Sequence, residues 1–262
     1  MVRCDSFAQS DHSLVKPAGC GFCNPPGANL QEKTKMSFFS SALVAAFVFG
    51  APPLLIFSIT RLVQRFPFWS WFTPVALIGW FLSANIVGYF VGVSKQGPLP
   101  PLGLLEIVVP LVVALTILFG SKSFRLVLEQ ITPGRLIGIQ VYRLGGLLFL
   151  YLYFQDHFVS RGFALGAGIG DILVGLSAPF VARWGNRTAV VVWNIVGIID
   201  LVMAPVSAVR FGFQGIGTYP LVLIPLFLGP PLGLFLHAAS LRNLYLRGFG
   251  NANGKDPHQT YQ

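Results

Sequence analysis

The sequence predicts an all-α, polytopic transmembrane helix bundle of about seven spanning helices, with the N-terminus outside and the C-terminus inside. Composition supports this fold class: 54% of the 262 residues are hydrophobic and 10% are charged, against about 25% charged in an ordinary soluble domain. The mean hydropathy of +0.69 agrees. Such a chain has too few charges to cover a soluble surface, and it is too apolar to be disordered.

Seven apolar windows follow residue 36 and are the second observation behind the fold class. Each is long enough to cross about 30 Å of hydrocarbon at about 1.5 Å per residue. We expect one helix in each of them: 38–60, 71–94, 99–119, 136–155, 162–182, 189–208 and 219–241. The first window is too long for a cleaved signal peptide, and no basic segment lies between Met36 and its apolar run.

Prolines interrupt several of these windows. They are Pro52 and Pro53 in the first, Pro110 in the third, Pro205 in the sixth, and Pro225, Pro230 and Pro231 in the seventh. A proline frees a backbone carbonyl inside the bilayer, so the seventh helix is predicted to be kinked or locally unwound. Broken helices line the binding sites of transporters, but proline is also common in spanning helices without a chemical role.

The chain divides into three parts. Residues 1–35 form a polar segment that we interpret either as a disordered tail or as sequence upstream of a true start at Met36. Residues 36–244 form the transmembrane domain, and residues 245–262 form a polar cytoplasmic tail. The Cys-x-x-Cys spacing of Cys20 and Cys23 has no second pair for a zinc ribbon and no strand-helix context for a redox site.

Basic residues set the predicted orientation. The loops 61–70, 120–135 and 183–188 and the tail from Arg242 hold ten Lys and Arg, whereas the opposite loops hold three. This bias predicts that the first set is cytoplasmic in a multi-pass protein of the inner (plasma) membrane. The net charge of +9 therefore reports topology, and the expected partner is the lipid bilayer, with no nucleic acid.

Eight polar side chains lie inside the windows. Five are ionisable (Glu106, Arg143, Asp171, Asp200 and His237) and three are amides (Asn85, Gln140 and Asn194). A charge at the bilayer centre costs about 2.5–3.5 kcal/mol on insertion scales, so each requires a partner or a function. Converted to depth, six of them share one inner-to-middle layer, which we interpret as a substrate or ion site. Asn85 and Glu106 form a second polar layer nearer the outer face.

The fourth and fifth windows supply the centre of this layer. Gln140 and Arg143 are three residues apart and share one helix face. Small residues repeat at every fourth position of the fifth window: Gly162, Gly166 and Gly170. This repeat lets another helix approach closely and places Asp171 at a tight interface. We predict that Arg143 pairs with a carboxylate of another helix, first Asp171 and otherwise Asp200, because a paired charge is tolerated in a low dielectric.

Other chemistry is excluded by the pattern. The glycine-rich run before Asp171 lies inside a spanning window with no preceding strand, so it is not a nucleotide loop. The seventh window has no Lys for a Schiff base. We therefore expect no cofactor, no metal site and no enzymatic activity, since no nucleophile-base pair or metal set is visible.

A resemblance to a family follows from the same polar residues. The segments 139–143, 163–178, 193–200 and 225–237 resemble an uncharacterised family of bacterial multi-spanning membrane proteins. The resemblance covers residues 136–244 and implies a membrane protein, without an activity, substrate or cofactor.

Two functions fit the sequence. The first is a carrier or ion-coupled translocator of a small solute or proton, with Arg143 as the partner of an anion or carboxylate and Asp171 or Asp200 as the protonatable group. The second is a non-catalytic membrane subunit or assembly protein in which the same residues only lock helix packing. A cavity that reaches the Arg143 layer favours the first, and dry close packing favours the second.

Overall fold

The structure is a computed structural model and describes residues 36–93, 101–211 and 217–252. Within these ranges every regular element is helical, and seven helices are long and apolar enough to span a membrane. The predicted fold class and its seven spanning segments are confirmed. The orientation of the termini stays a prediction, and the segment 1–35 with its two Cys-x-x-Cys cysteines lies outside the described residues.

Eight helices follow one another in the described residues, and all except α4 are spanning candidates. They are α1 (Phe38–Val63), α2 (Pro67–Val93), α3 (Pro101–Gly120), α4 (Lys122–Gln130), α5 (Pro133–Asp156), α6 (Arg161–Trp184), α7 (Arg187–Phe211) and α8, whose spanning part is Ile224–Gly248 and whose α-helical part is Pro230–Ala252. Three of them contain irregular turns: Gln140–Gly145 of α5 is 3₁₀-helical, and Ala164–Gly168 of α6 and Ile224–Leu228 of α8 are π-helical.

Polar caps mark where helices begin. Ser37, Ser121 and Ser160 precede α1, α4 and α6, and each side chain accepts a hydrogen bond from the backbone N–H three residues later, at 3.1, 3.1 and 3.4 Å. Such caps satisfy N–H groups that have no partner within the helix. α5 begins at Pro133, where the missing N–H costs nothing.

The last spanning helix, α8, lies at the centre of the bundle. In its most apolar window 61% of the residues are buried, against 11% in α2 and in α3. Phe227, Leu232 and Leu236 of α8 are almost completely buried. α1 to α3 instead expose large apolar side chains such as Leu54 and Ile86, which suit contact with lipid chains.

Close contact between α6 and α7 follows the glycine repeat of α6. A Cβ placed on Gly162 would overlap the ring of Phe211, and one on Gly166 would lie 3.3 Å from Oγ of Ser207. A Cβ on Gly170 would overlap the carboxylate of Asp200. All three contacts are on α7, so the close helix approach predicted from the repeat is confirmed.

The predicted loop 120–135 is wrong in one respect, because it contains the short helix α4. Its apolar residues recur at helical spacing in a segment too short to span a membrane. The buried ones are Phe124, Val127 and Leu128. Asn243 of α8 donates to the carbonyls of Leu128 and, at 2.7 Å, Ile131, which ties the end of α4 to the bundle.

α8 also extends beyond the predicted end of the transmembrane domain at residue 244, because its α-helical part runs to Ala252. Arg247 donates to the carbonyls of Glu129 and Ile131 at 3.1 and 2.9 Å. These bonds hold the polar end of the helix against α4, which explains why it remains ordered after the apolar window stops.

Candidate functional site

Arg143 and four other side chains form a cluster, and its five members are five of the six residues predicted for the inner-to-middle layer. The guanidinium donates from Nε to Oδ1 of Asp171 at 2.7 Å and from Nη2 to Oδ2 of Asp200. The sequence predicted one of these carboxylates as the partner, and the structure pairs Arg143 with both. The arginine side chain is 1% exposed, and those of Asp171 and Asp200 are 20% and 14% exposed.

His237 and Asn194 complete what we call the Arg143 cluster: Arg143, Asp171, Asn194, Asp200 and His237. Nη1 of Arg143 lies 3.2 Å from Nε2 of His237. Arginine has no acceptor, so Nε2 accepts this bond and the ring proton lies on Nδ1. Nδ1 then donates to Oδ1 of Asn194 at 2.9 Å, and the imidazole is neutral.

The hydrogen bonds continue from Asn194 toward the end of α8. Its amide nitrogen donates to Oγ of Ser240 at 3.1 Å and to the carbonyl of Val190 at 2.8 Å. The amide is therefore fixed on both sides, which fixes the tautomer and position of the His237 ring. One connected chain of bonds links α5, α6, α7 and α8.

The charges of the cluster do not balance. One arginine lies between two carboxylates, and among the described residues no other cation forms an ion pair with either of them. With both carboxylates ionised and the imidazole neutral, the cluster carries one net negative charge. A single proton on Asp171 or Asp200 makes it neutral.

Irregular backbone surrounds the cluster. Arg143 lies within the 3₁₀-helical turn Gln140–Gly145, and Asp171 follows the π-helical turn Ala164–Gly168 by three residues. Turns of both kinds inside long helices are frequent at functional sites and hinges.

α8 is locally unwound before it reaches the cluster, as the prolines of the seventh window predicted. Its π-helical turn Ile224–Leu228 ends at Gly229, where α-helix resumes at Pro230. Tyr142 of α5 donates its hydroxyl to the carbonyl of Leu228 at 2.8 Å. Inside a bilayer a freed carbonyl requires such a donor.

Two glycines leave room for the side chains of the cluster. A Cβ on Gly170 would overlap the Asp200 carboxylate, and one on Gly197 would overlap the His237 ring. Neither glycine has an unusual backbone conformation, so lack of a side chain is the property required at both positions.

Gln140, the sixth predicted residue, is buried but forms no bond with the cluster. Its side chain is fully buried, and neither amide atom has a hydrogen-bond partner among the described residues. Burying an unpaired amide costs about 1–3 kcal/mol. Three residues before Arg143, it is therefore a donor and an acceptor without a partner among the described residues.

The structure does not join Asn85 and Glu106, the predicted outer layer, into one hydrogen-bonded group. Oε2 of Glu106 accepts from Ser83 at 2.8 Å. Asn85 donates to the Phe81 carbonyl at 2.7 Å and accepts from the Tyr219 hydroxyl at 3.2 Å. Each is satisfied on at least one side by a separate partner.

A narrow cleft opens beside the cluster. Its volume is about 20 Å³, which is room for about one water molecule, and both Arg143 and Asp171 line it. Three aromatic side chains line it as well: Phe47 of α1 and Tyr142 and Phe149 of α5. Within the described residues no group of three or more His, Cys, Asp and Glu side chains could hold a metal ion.

Two hydroxyl residues of the site were missed from the sequence. Ser240 lies three residues after His237, a spacing that places both on one helix face and that could have identified it. Tyr142 bonds a backbone carbonyl 86 residues away, and such a partner has no signature in the sequence.

Comparisons with known proteins identify the family. No curated protein and no solved structure matches the chain. Residues 99–245, more than half of the chain, match a family described as a domain of unknown function, DUF8737. That segment contains the whole Arg143 cluster and extends the predicted resemblance, which began at residue 136, to include α3. The chain, with its seven membrane-spanning helices, therefore belongs to the uncharacterised DUF8737 family.

Proposed function

We propose that the protein is a multi-pass carrier that couples the movement of a small solute to protons, and that the Arg143 cluster is its coupling site. The observation that carries this proposal is the charge count, in which one buried arginine lies between two carboxylates. The role is transport rather than catalysis.

The imbalance gives the cluster a reason to bind a proton. A net charge within the bilayer costs on the order of 2.5–3.5 kcal/mol on insertion scales. A proton on Asp171 removes the imbalance and leaves Arg143 paired with Asp200. A proton on Asp200 leaves the pair with Asp171 instead, because the two carboxylates bind different nitrogens of the guanidinium.

Exchange between the two protonated states links charge to helix position. Asp171 belongs to α6 and Asp200 to α7, so moving the proton from one to the other moves the strong ion pair between two helices. The 3₁₀- and π-helical turns in α5, α6 and α8 supply backbone that can change geometry locally.

Binding groups for a solute lie within the same layer. The unpaired amide of Gln140 offers a donor and an acceptor. The small cleft at Arg143 and Asp171 is bounded by residues of α1 and α8, and widening it would give a solute access to the cluster. Arg143 itself bonds three protein groups, so its partner in this proposal is the carboxylate pair and not an anionic substrate.

The proposed location is the inner (plasma) membrane. The segments 61–70, 120–135 and 183–188 and the end of α8 from Arg242 would face the cytoplasm, as the distribution of Lys and Arg indicates. The N-terminal end of α1 would face outward.

Solute-driven proton movement in proteoliposomes tests the proposal. The purified full chain is reconstituted with a pH-sensitive dye inside, and outward or inward gradients of amino acids, amines, sugars and carboxylates are imposed in turn. At least one solute should move protons through the wild-type protein. Asp171→Asn and Asp200→Asn should each abolish this movement.

Glu129→Gln is the matched control, because that carboxylate pairs with Arg125 on the surface and should leave transport unchanged. If no gradient moves protons while both aspartate variants fold less stably than the wild type, the alternative function is favoured, in which the cluster only locks the helices of a membrane subunit.

A further inference from the structure

An apolar groove runs along the outside of the bundle between α1 and α5. Its volume is about 500 Å³, which lies within the about 300–1,000 Å³ typical of ligand sites. α1 contributes Leu43 and Phe47, and α5 contributes side chains from the range 141–151. Leu43, Val141 and Leu147 on this groove are 38%, 37% and 54% exposed, so it opens to the face that meets lipid chains.

The groove and the cleft of the Arg143 cluster are neighbours. Phe47, Tyr142 and Gly145 line both spaces. A Cβ on Gly145 would overlap the ring of Phe47, so this ring lies directly on the glycine. The ring of Phe47 is therefore the partition between the lipid-facing groove and the carboxylate of Asp171.

The chemistry of the two spaces differs in a way that defines a ligand. The groove is apolar, whereas the cleft has a carboxylate of a cluster that carries one net negative charge when both aspartates are ionised. Three aromatic rings, those of Phe47, Tyr142 and Phe149, line the cleft with that carboxylate. Aromatic rings together with a negative charge are the usual recognition elements for alkylammonium groups.

We propose that this combined site binds an amphiphilic cation that enters sideways from the bilayer, with its alkyl chain in the groove and, once the Phe47 ring turns aside, its ammonium group beside Asp171. The inference rests on the proposed function and names the substrate class of that carrier. An anionic lipid is disfavoured by the charge of the ionised cluster, and a neutral lipid leaves that negative charge uncompensated.

Direct binding of a labelled probe tests the inference. The full chain is placed in nanodiscs of phosphatidylcholine, and binding of tritiated dodecyltrimethylammonium is measured against empty nanodiscs. We expect saturable binding of one probe per protein. Unlabelled dodecyltrimethylammonium should compete, whereas dodecyl sulfate and dodecanol, with the same chain and no cation, should not.

Two variants separate the head and chain contacts. Asp171→Asn should weaken binding about tenfold or more by removing the charge, and it leaves Arg143 paired with Asp200. Phe47→Trp should also weaken binding, because the larger ring fills the passage. Leu54→Trp is the control, since Leu54 lies on α1 with 68% of its surface exposed and does not line the groove.

The outcomes are distinct from those of the transport test. Equal competition by dodecyl sulfate and dodecanol, or binding unaffected by Asp171→Asn and Phe47→Trp, would overturn the inference and show that the groove holds only lipid. If the probe fails to bind while another solute drives protons through Asp171, the carrier stands and the substrate class is wrong. If the probe binds as expected without any coupled transport, the site stands and the carrier does not.

Discussion

Removal of Arg143 is expected to destabilise the protein much more than removal of either carboxylate partner. Arg143→Met leaves two carboxylates facing each other in the bundle with no cation. Asp171→Asn or Asp200→Asn instead leaves one complete arginine–carboxylate pair, because each aspartate bonds a different guanidinium nitrogen. The asymmetry follows directly from the charge count.

The magnitudes can be worked from burial. Breaking a buried pair costs about 3–5 kcal/mol because the remaining charge is left unpaired. Arg143 is 1% exposed and its partners are 20% and 14% exposed, so solvent screens them little. Each single Asp→Asn change loses one charged hydrogen bond, which costs about 1.5–3 kcal/mol. The triple variant, which has no charge in the cluster, should recover most of the loss caused by Arg143→Met.

Thermal unfolding in detergent is the assay. At about 2–4 °C per kcal/mol for a chain of this size, Arg143→Met should lower the midpoint by about 6–20 °C. Arg125→Met is the matched control, because its ion pair with Glu129 has side chains 56% and 37% exposed. Such a surface pair contributes about 0–1 kcal/mol. The reasoning is refuted if Arg143→Met unfolds no earlier than the single aspartate variants, or if the triple variant is no more stable than Arg143→Met.

Three further predictions concern packing and topology. Gly197→Ala should lower the free energy of unfolding by about 1–3 kcal/mol, because the added Cβ meets the ring of His237. Gly79→Ala is the control and should be neutral or stabilising, because the space around Gly79 is open. Equal effects of the two changes would contradict the packing. Asn243→Ala should cost about 1–3 kcal/mol in the same assay, since the Leu128 carbonyl loses its side-chain donor and the Ile131 carbonyl keeps only Arg247. An unchanged midpoint would show that the Asn243 bonds contribute nothing. Reporter fusions after residue 128 and after Arg242 should both be cytoplasmic, and a periplasmic reading at either would reverse the orientation.

The spanning helices could be predicted from the sequence because insertion into hydrocarbon depends on the length and composition of a segment. Both properties are obtained directly from a run of about 20 residues. α4 could not be found in this way. It is too short to span, and its stability comes from packing and from Asn243 on a distant helix. The extension of α8 beyond residue 244 depends on Arg247 in the same way.

The polar layer could be predicted because buried charge is costly wherever it lies. Sequence position gives depth in the membrane, and depth brought Arg143, Asp171 and His237 to one level. Depth does not give the rotation of a helix or its neighbours, so the pairing of Arg143 with both carboxylates could not be chosen over a single pair. The prolines of the seventh window predicted the break in α8. The irregular turns of α5 and α6 contain no proline, so this signal could not predict them.

The order of the cluster along the chain has a consequence for how the protein is made. Arg143 leaves the ribosome 28 residues before Asp171 and 57 residues before Asp200. At a synthesis rate of about 5–20 residues per second, Asp171 is added about 1–6 s after Arg143, and Asp200 about 3–11 s after it. Insertion of α5 alone would place the unpaired charge of Arg143 in the bilayer, at a cost of about 2.5–3.5 kcal/mol. Entry of α5 together with α6 would avoid this cost, and the two helices are packed closely enough for it: a Cβ placed on Gly175 would lie 2.7 Å from the backbone N of Leu144.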